Sequence, residues 1–167
     1  LKQVGGDIFV RNLPSLQNLS WHLERTFGIL RMEQLYQLTD LHLEYLSIIE
    51  EDIFIQENTH FPIFSLPSLQ QIDGTLTIIG NNSLQEISLP HLPLFNGTIK
   101  ISYNMSLENI SLDIQNLHGN ILFQANAILE SVTLIGLHYP EGNIQLLSNP
   151  SLTSIILPNT TDIIGSI

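Results

Sequence analysis

Six Asn-x-Ser/Thr triplets, at Asn18, Asn81, Asn96, Asn104, Asn109 and Asn159, are the strongest chemical signal in the chain. Each is an acceptor for N-linked glycan. With 14 Asn and 25 Ser plus Thr in 167 residues, chance would place about two such triplets. Pro150 disqualifies a seventh candidate at Asn149. The excess points to a secreted or cell-surface glycoprotein. A second asparagine pattern overlaps the first: Asn58, Asn81, Asn104, Asn126 and Asn149 recur at 22–23 residues. That spacing predicts a ladder of stacked amides satisfying turn backbone, rather than a row of exposed ligand-binding amides. The two readings collide at Asn81 and Asn104, because an amide turned into a ladder cannot carry a sugar. Asn18, Asn96, Asn109 and Asn159 are therefore the better acceptors.

Other chemistry is sparse. The carboxylates Asp7, Glu24, Glu33, Asp40, Glu44, Glu50, Glu51, Asp52, Glu57 and Asp73 share no dense column in the repeat. Acid–base catalysis needs such groups to converge. Asp7 and Asp52 occupy equivalent corners two repeats apart, about 10 Å by the spacing of stacked strands, and read as solvated corner residues. Glu50-Glu51-Asp52 lacks the oxygen-rich loop spacing of a calcium site. His22, His42, His60, His91, His118 and His138 fall at different repeat positions, so stacking does not align them as metal ligands. Cysteine is absent, which removes disulfides, thiol nucleophiles and Cys-based zinc sites. No nucleophile elbow, zinc-protease helix or phosphate loop is present. The residues predict a non-enzyme with no cofactor.

The net charge is -11, and only Lys2, Arg11, Arg25, Arg31 and Lys100 carry fixed positive charge, too few for a nucleic-acid groove. No apolar run reaches the ~20 residues of a membrane span. The chain opens on Leu1 without a signal-peptide pattern and reads as processed or partial.

The element that must position these groups is a repeat. Equivalent starts fall at Gly6, Gly28, Glu51, Gly74, Gly97, Gly119, Gly142 and Gly165, 22 or 23 residues apart. Two residues after each start stand Ile8, Leu30, Ile53, Leu76, Ile99, Ile121, Ile144 and Ile167; two further on stand Val10, Met32, Ile55, Ile78, Ile101, Phe123 and Leu146. Apolar residues two apart share one face of a strand. A second alternating pair follows, from Leu19/Trp21 through Ile87/Leu89 to Ile155/Leu157. Two strands per repeat, with no room for an ordinary helix, predict an all-β parallel β-helix of about seven coils stacked about 4.8 Å apart. The start glycine fits a corner needing a sharp bend or positive φ. The rival is a leucine-rich-repeat solenoid, half of whose pattern Leu84-x-x-Ile87-x-Leu89 satisfies. Outward residues of the first strand, Phe9, Phe54 and Leu122 among Arg31, Thr77, Lys100 and Gln145, form a candidate contact patch for protein or sugar.

The phrase Gly-x-Ile/Leu-x-Ile-x-x-Asn-x-x-Leu-x-x-Ile-x-Leu-Pro-x-Leu resembles the receptor L-domain family, which includes the ligand-binding L domains of insulin and epidermal-growth-factor receptors. Ser68-Leu-Gln-Gln-Ile-Asp-Gly and Ser151-Leu-Thr-Ser-Ile-Ile-Leu-Pro are similar to the fungal and protist cell-surface versions. The resemblance covers almost the whole chain and implies a right-handed β-helix on the cell surface. The disulfides of the animal receptor domains are missing here. The motif is structural and specifies no reaction.

Residues 1–167 read as one solenoid domain that begins and ends in mid-repeat: Leu1-Lys-Gln-Val-Gly-Gly matches the tail of a coil and Gly165-Ser-Ile167 the opening of another. Open solenoid ends expose unpaired strands. Either a longer surface protein continues the stack, or copies dock end to end into a filament. The expected role is a structural or adhesive extracellular module whose partners are proteins or other copies of itself. Receptor-type ligand or glycan binding is the alternative, and a polysaccharide-active β-helix enzyme the remaining one.

Overall fold

The computed structural model describes residues 1–138 and 140–158. The chain is all-β: every strand pair is parallel, and the strands stack as a β-solenoid of about 7 turns. The leucine-rich-repeat alternative is thereby set aside, since no helix occurs among the described residues.

Each coil has three strand segments where the residue pattern predicted two. The broad face is built from Ile8–Arg11, Leu30–Glu33, Ile53–Gln56, Leu76–Ile79, the second halves of Leu94–Ser102 and Asn116–Gln124, and Ile144–Leu147. The hydroxyl face contains Ile63–Ser65, Glu86–Leu89, Asn109–Asp113, Ser131–Ile135 and Ser154–Ile156 as one sheet, with Asn18–Ser20 and Asp40–His42 as a separate pair. The third, narrow face consists of Gln3–Val4, Arg25–Thr26, Ile48–Ile49, Gln71–Ile72 and the first residues of the two nine-residue strands. It escaped the period-two search because each segment turns only one residue inward, so nothing alternates. The column Thr26, Ile49, Ile72, Phe95 and Leu117 carries it, and all five are buried.

The interior is a continuous apolar column. Leu30, Ile53, Leu76, Ile99 and Ile121 from the broad face meet Phe64, Ile87, Ile110 and Val132 from the hydroxyl face. Leu23, Leu46, Leu69, Leu92, Ile114 and Leu137 fill the corner beside the narrow face. Full burial of one such side chain is worth about 1.5–3 kcal/mol.

Corners follow two backbone rules. After each broad strand a single residue takes the left-handed conformation: Asn12, Gln34, Glu57, Gly80, Tyr103, Ala125 and Ser148, with φ between 54° and 68°. Six of the seven are not glycine, a cost of about 1–2 kcal/mol each. Cross-coil bonds such as Tyr103 N–H to Gln124 O, 3.1 Å, hold these turns in place. Before the broad strand the constraint is contact. Gly97, Gly119 and Gly142 have φ of 149°, 150° and 140°. A Cβ on Gly119 would lie 1.7 Å from the Gly97 carbonyl oxygen, so stacked coils touch backbone to backbone there.

The hydroxyl face is split at one seam. In neighbouring coils two successive N–H groups donate to one carbonyl of the coil before, as Gln85 and Glu86 do to Pro62 O at 2.8 and 3.4 Å. The equivalent donors toward Thr39 O would be Pro62 and Ile63, and proline has no N–H. The sheet breaks there, leaving a groove of about 210 Å³ lined by Asp40, His42, Pro62, Ile63 and Ser65.

Two experiments check this account. Gly119→Ala should cost about 3 kcal/mol or prevent folding, by overpacking against Gly97. Gly80→Ala, where only Glu57 Cγ lies within 4 Å, at 3.8 Å, should cost about 1 kcal/mol for its φ alone. Equal losses in denaturant melts would refute the distinction. Pro62→Gln, which copies the equivalent Gln85, should close the seam and raise stability by about 1 kcal/mol; an unchanged melt would refute the assignment of the break to proline.

Candidate functional site

The asparagine column lies directly behind the left-handed corner. Asn58, Asn81, Asn104 and Asn126 are fully buried and Asn149 is half-buried. Each Nδ2 donates to the next amide oxygen: Asn58 to Asn81 at 3.0 Å, Asn81 to Asn104 at 3.2 Å, Asn104 to Asn126 at 3.3 Å, and Asn126 to Asn149 at 3.2 Å. Each Nδ2 also donates to a broad-strand carbonyl, that of Met32, Ile55, Ile78, Ile101 or Phe123 in turn. Every Oδ1 accepts a backbone N–H from the coil before, beginning with Leu35 N–H to Asn58 at 3.1 Å. These amides complete the turns and leave nothing for a ligand.

The sequons divide by the same geometry. At Asn81 and Asn104 the nitrogen is enclosed and donating, so in the folded chain neither offers a bond to a sugar. Asn18 is exposed on the hydroxyl face, with Ser20 on the same side of its strand. Asn109 is exposed on that face too, its Oδ1 accepting the Ser131 hydroxyl at 2.7 Å. Asn96 is half-buried at the edge of the narrow face, its Nδ2 donating to Asp73 at 2.7 Å. Asn159 lies outside the described residues.

One reading of the carboxylates needs correction. Asp7 and Asp52 are not merely solvated: Asp7 Oδ1 accepts the Ile29 N–H at 2.9 Å and Asp52 Oδ1 the Thr75 N–H at 2.6 Å. Asn120 does the same for Asn143, at 3.0 Å. They tie a corner to the coil above it. The narrow face adds a mixed polar column in which two of the ten acids named above, Glu50 and Asp73, are neighbours. Glu50, Asp73, Asn96, His118 and Glu141 follow the paired residues of the narrow face, one per coil. The residue pattern alone does not show this column, because it belongs to the narrow face. Its members are bonded to one another or to their neighbours: Glu50 pairs with Arg25, Asp73 accepts from Gln71 and Asn96, and His118 Nδ1 lies 3.0 Å from Glu141. At the first coils Lys2 bonds Glu24 at 2.7 Å and holds that carboxyl below its ordinary range. Among the described residues no three His, Asp or Glu side chains are arranged to hold a metal ion.

On the broad face the contact residues are less uniform than their column suggests. Phe9 is exposed, whereas Phe54 and Leu122 are half-buried. Arg31 lies 4.1 Å above the Phe54 ring, and Arg11 stands 5.7 Å from that of Phe9. Glu33 bridges both arginines, at 3.9 and 3.3 Å. Thr77 and Lys100 separate Phe54 from Leu122 in the register, so the three apolar groups are not one patch. No family model matches the chain, and no curated protein or solved structure is significantly similar to it.

Removing one ladder amide tests its structural role. Asn104→Leu strands the Asn81 N–H and the Ile78 carbonyl in the interior and should cost about 3 kcal/mol, on the scale of about 1–3 kcal/mol per buried unsatisfied group. A loss below about 1 kcal/mol in equilibrium unfolding would contradict the ladder's role.

Proposed function

We infer that the chain is a non-catalytic structural or adhesive module of an extracellular glycoprotein, similar to a receptor L domain. The observation that carries this reading is the outward, solvent-exposed position of Asn18 and Asn109 on one face of a rigid rod. The sequence excess of sequons gives the same direction. Polar groups of the interior are engaged in holding coils together, as the ladder shows, and the chemistry left for partners lies on the outward faces. A rod of stacked coils offers long faces suited to extended contacts.

A second reading is end-to-end assembly of copies, for which the parallel stacking of like coils in register supplies the geometry. Electron microscopy of the native glycosylated material separates the readings, as regular fibres in the second and isolated rods in the first. Receptor-type binding of a ligand through the broad face is compatible with either.

Glycosidase treatment of native protein in heavy-oxygen water should lower its mass and convert Asn18 and Asn109 to labelled Asp, leaving Asn81 and Asn104 unmodified. Unmodified peptides at Asn18, Asn96 and Asn109 together would overturn the glycoprotein reading.

A further inference from the structure

At the entry to the hydroxyl face one backbone carbonyl in each coil accepts two N–H groups from the next. Gln17 O takes those of Thr39 and Asp40, and Pro62, Gln85, Glu108 and Glu130 each take a pair in the same way. The Thr39 carbonyl belongs to this series, yet among the described residues no donor reaches it. Pro62 has no N–H to give, and Ile63 makes no bond to it. A carbonyl that the stack leaves open must find its donor elsewhere, in water or in a ligand.

Thr39 lines the seam groove of about 210 Å³, and the rest of that lining is amphipathic. Pro62 and Ile63, the latter 52% exposed, make an apolar wall. Asp40 and His42 edge it with polar atoms. Asp40 Oδ2 accepts the Thr39 hydroxyl at 2.8 Å and His42 Nδ1 lies 3.0 Å from Glu44, which leaves Asp40 Oδ1 and His42 Nε2 without protein partners. An apolar wall, a carbonyl lacking an N–H and two further polar atoms fit an N-acetylated sugar. Such a sugar has a ring face of C–H groups, hydroxyls at its rim and one amide N–H. A plain hexose lacks the amide.

The chain carries an acceptor for such a sugar beside the groove. Asn18 pairs in register with Asp40, and both are exposed in the outward column that Ile63 continues. Ile63 is two coils from Asn18, about 10 Å by the strand spacing. The sugars at the base of an N-linked glycan are N-acetylated. Asn109 stands two coils away on the other side, but there the sheet is closed at Glu86 and the Asn109 Oδ1 is engaged by Ser131 of the coil beyond. We propose that the seam groove holds the Asn18 glycan: its basal N-acetylated sugars fold over Asp40, with an acetamide N–H on the Thr39 carbonyl and a ring face on Pro62 and Ile63. The glycan thereby replaces the cross-coil bonding that Pro62 removes and ties the second coil to the third. This rests on the extracellular glycoprotein reading above and gives one of its sequons a structural role.

The test compares thermal melts of the native glycosylated protein with those of the same chain made without glycans, after mass mapping of sequon occupancy. Ser20→Ala removes the Asn18 sequon and keeps its side chain; Ser111→Ala does the same at Asn109. In glycosylated material Ser20→Ala should lower the melting temperature by about 2–4 °C, the scale of one net hydrogen bond in a chain of this length, and Ser111→Ala should not. Without glycans, wild type and Ser20→Ala should melt alike. Pro62→Gln, which supplies the missing N–H, and Ile63→Ser, which strips the apolar wall, should each erase the difference between glycosylated and bare protein. Nuclear Overhauser contacts between a sugar acetyl methyl and Ile63 should be present in wild type and absent in Ser20→Ala. Equal melts of the two wild-type forms with Asn18 occupied, or no contact to Ile63, would overturn the proposal and leave the glycoprotein reading standing. A bare Asn18 also overturns it, and the glycoprotein reading falls with it only if Asn96 and Asn109 are bare too. Dimerisation in sedimentation that Ile63→Ser abolishes would overturn it in favour of a second copy of the chain in the groove.

Discussion

The constraint on which the molecule depends is vertical satisfaction: the polar groups of a coil find their partners in the coil stacked upon it. The amide ladder states it most plainly. Asn81 Oδ1 caps the Asn58 backbone while its own backbone N–H is capped by Asn104. Asp7, Asp52 and Asn120 repeat the arrangement at the opposite corner of the broad face, each holding an N–H of the next coil. One coil alone would leave buried donors without acceptors, at about 1–3 kcal/mol for each. The stack is consequently the folding unit, and register is held by hydrogen bonds as well as by the apolar column.

That constraint explains which parts were legible in the residues. Broad and hydroxyl strands could be read because both alternate, as in Ile99/Ile101 and Ile110/Leu112, and alternation is what a period-two search detects. The asparagine ladder could be read because one residue type recurs where a turn needs an amide. The narrow face could not, since Ile49 or Phe95 is a single inward residue beside a polar one. Only its recurrence every 22 or 23 residues marks it. Missing that face hid the column from Glu50 to Glu141, and with it the pairing of His118. The left-handed corners were likewise silent. Asn12, Gln34, Glu57, Tyr103, Ala125 and Ser148 share no chemistry, because cross-coil bonds and not residue type hold that conformation. The split at Pro62 did have a signal, a proline where Gln85 and its counterparts carry an N–H.

The candidate site was legible only in outline. Its column could be placed from Phe9, Phe54 and Leu122, but not the fact that Arg31 covers one ring while Lys100 stays unpaired. Nor could pattern reveal that Ser102 is buried on an outward strand position, in register between Ile79 and Gln124. Period gives direction, inward or outward. It does not give depth, which neighbouring coils decide together.

A solenoid also divides labour among faces more sharply than a globule does. Because side chains at one column share one environment, the sequons at Asn18 and Asn109 face the same side, four coils apart. Arg11, Arg31 and Lys100, spread over two outward columns, give the broad face three cations against one acid, Glu33. The inward columns cannot take part, since Asn81 or Leu76 moved toward a ligand would uncap the coil beneath or open the core. What the rod offers to its surroundings is therefore single outward residues contributed by successive coils. Such a surface is linear, shallow and repeated at the strand spacing, the opposite of a pocket that encloses a small molecule.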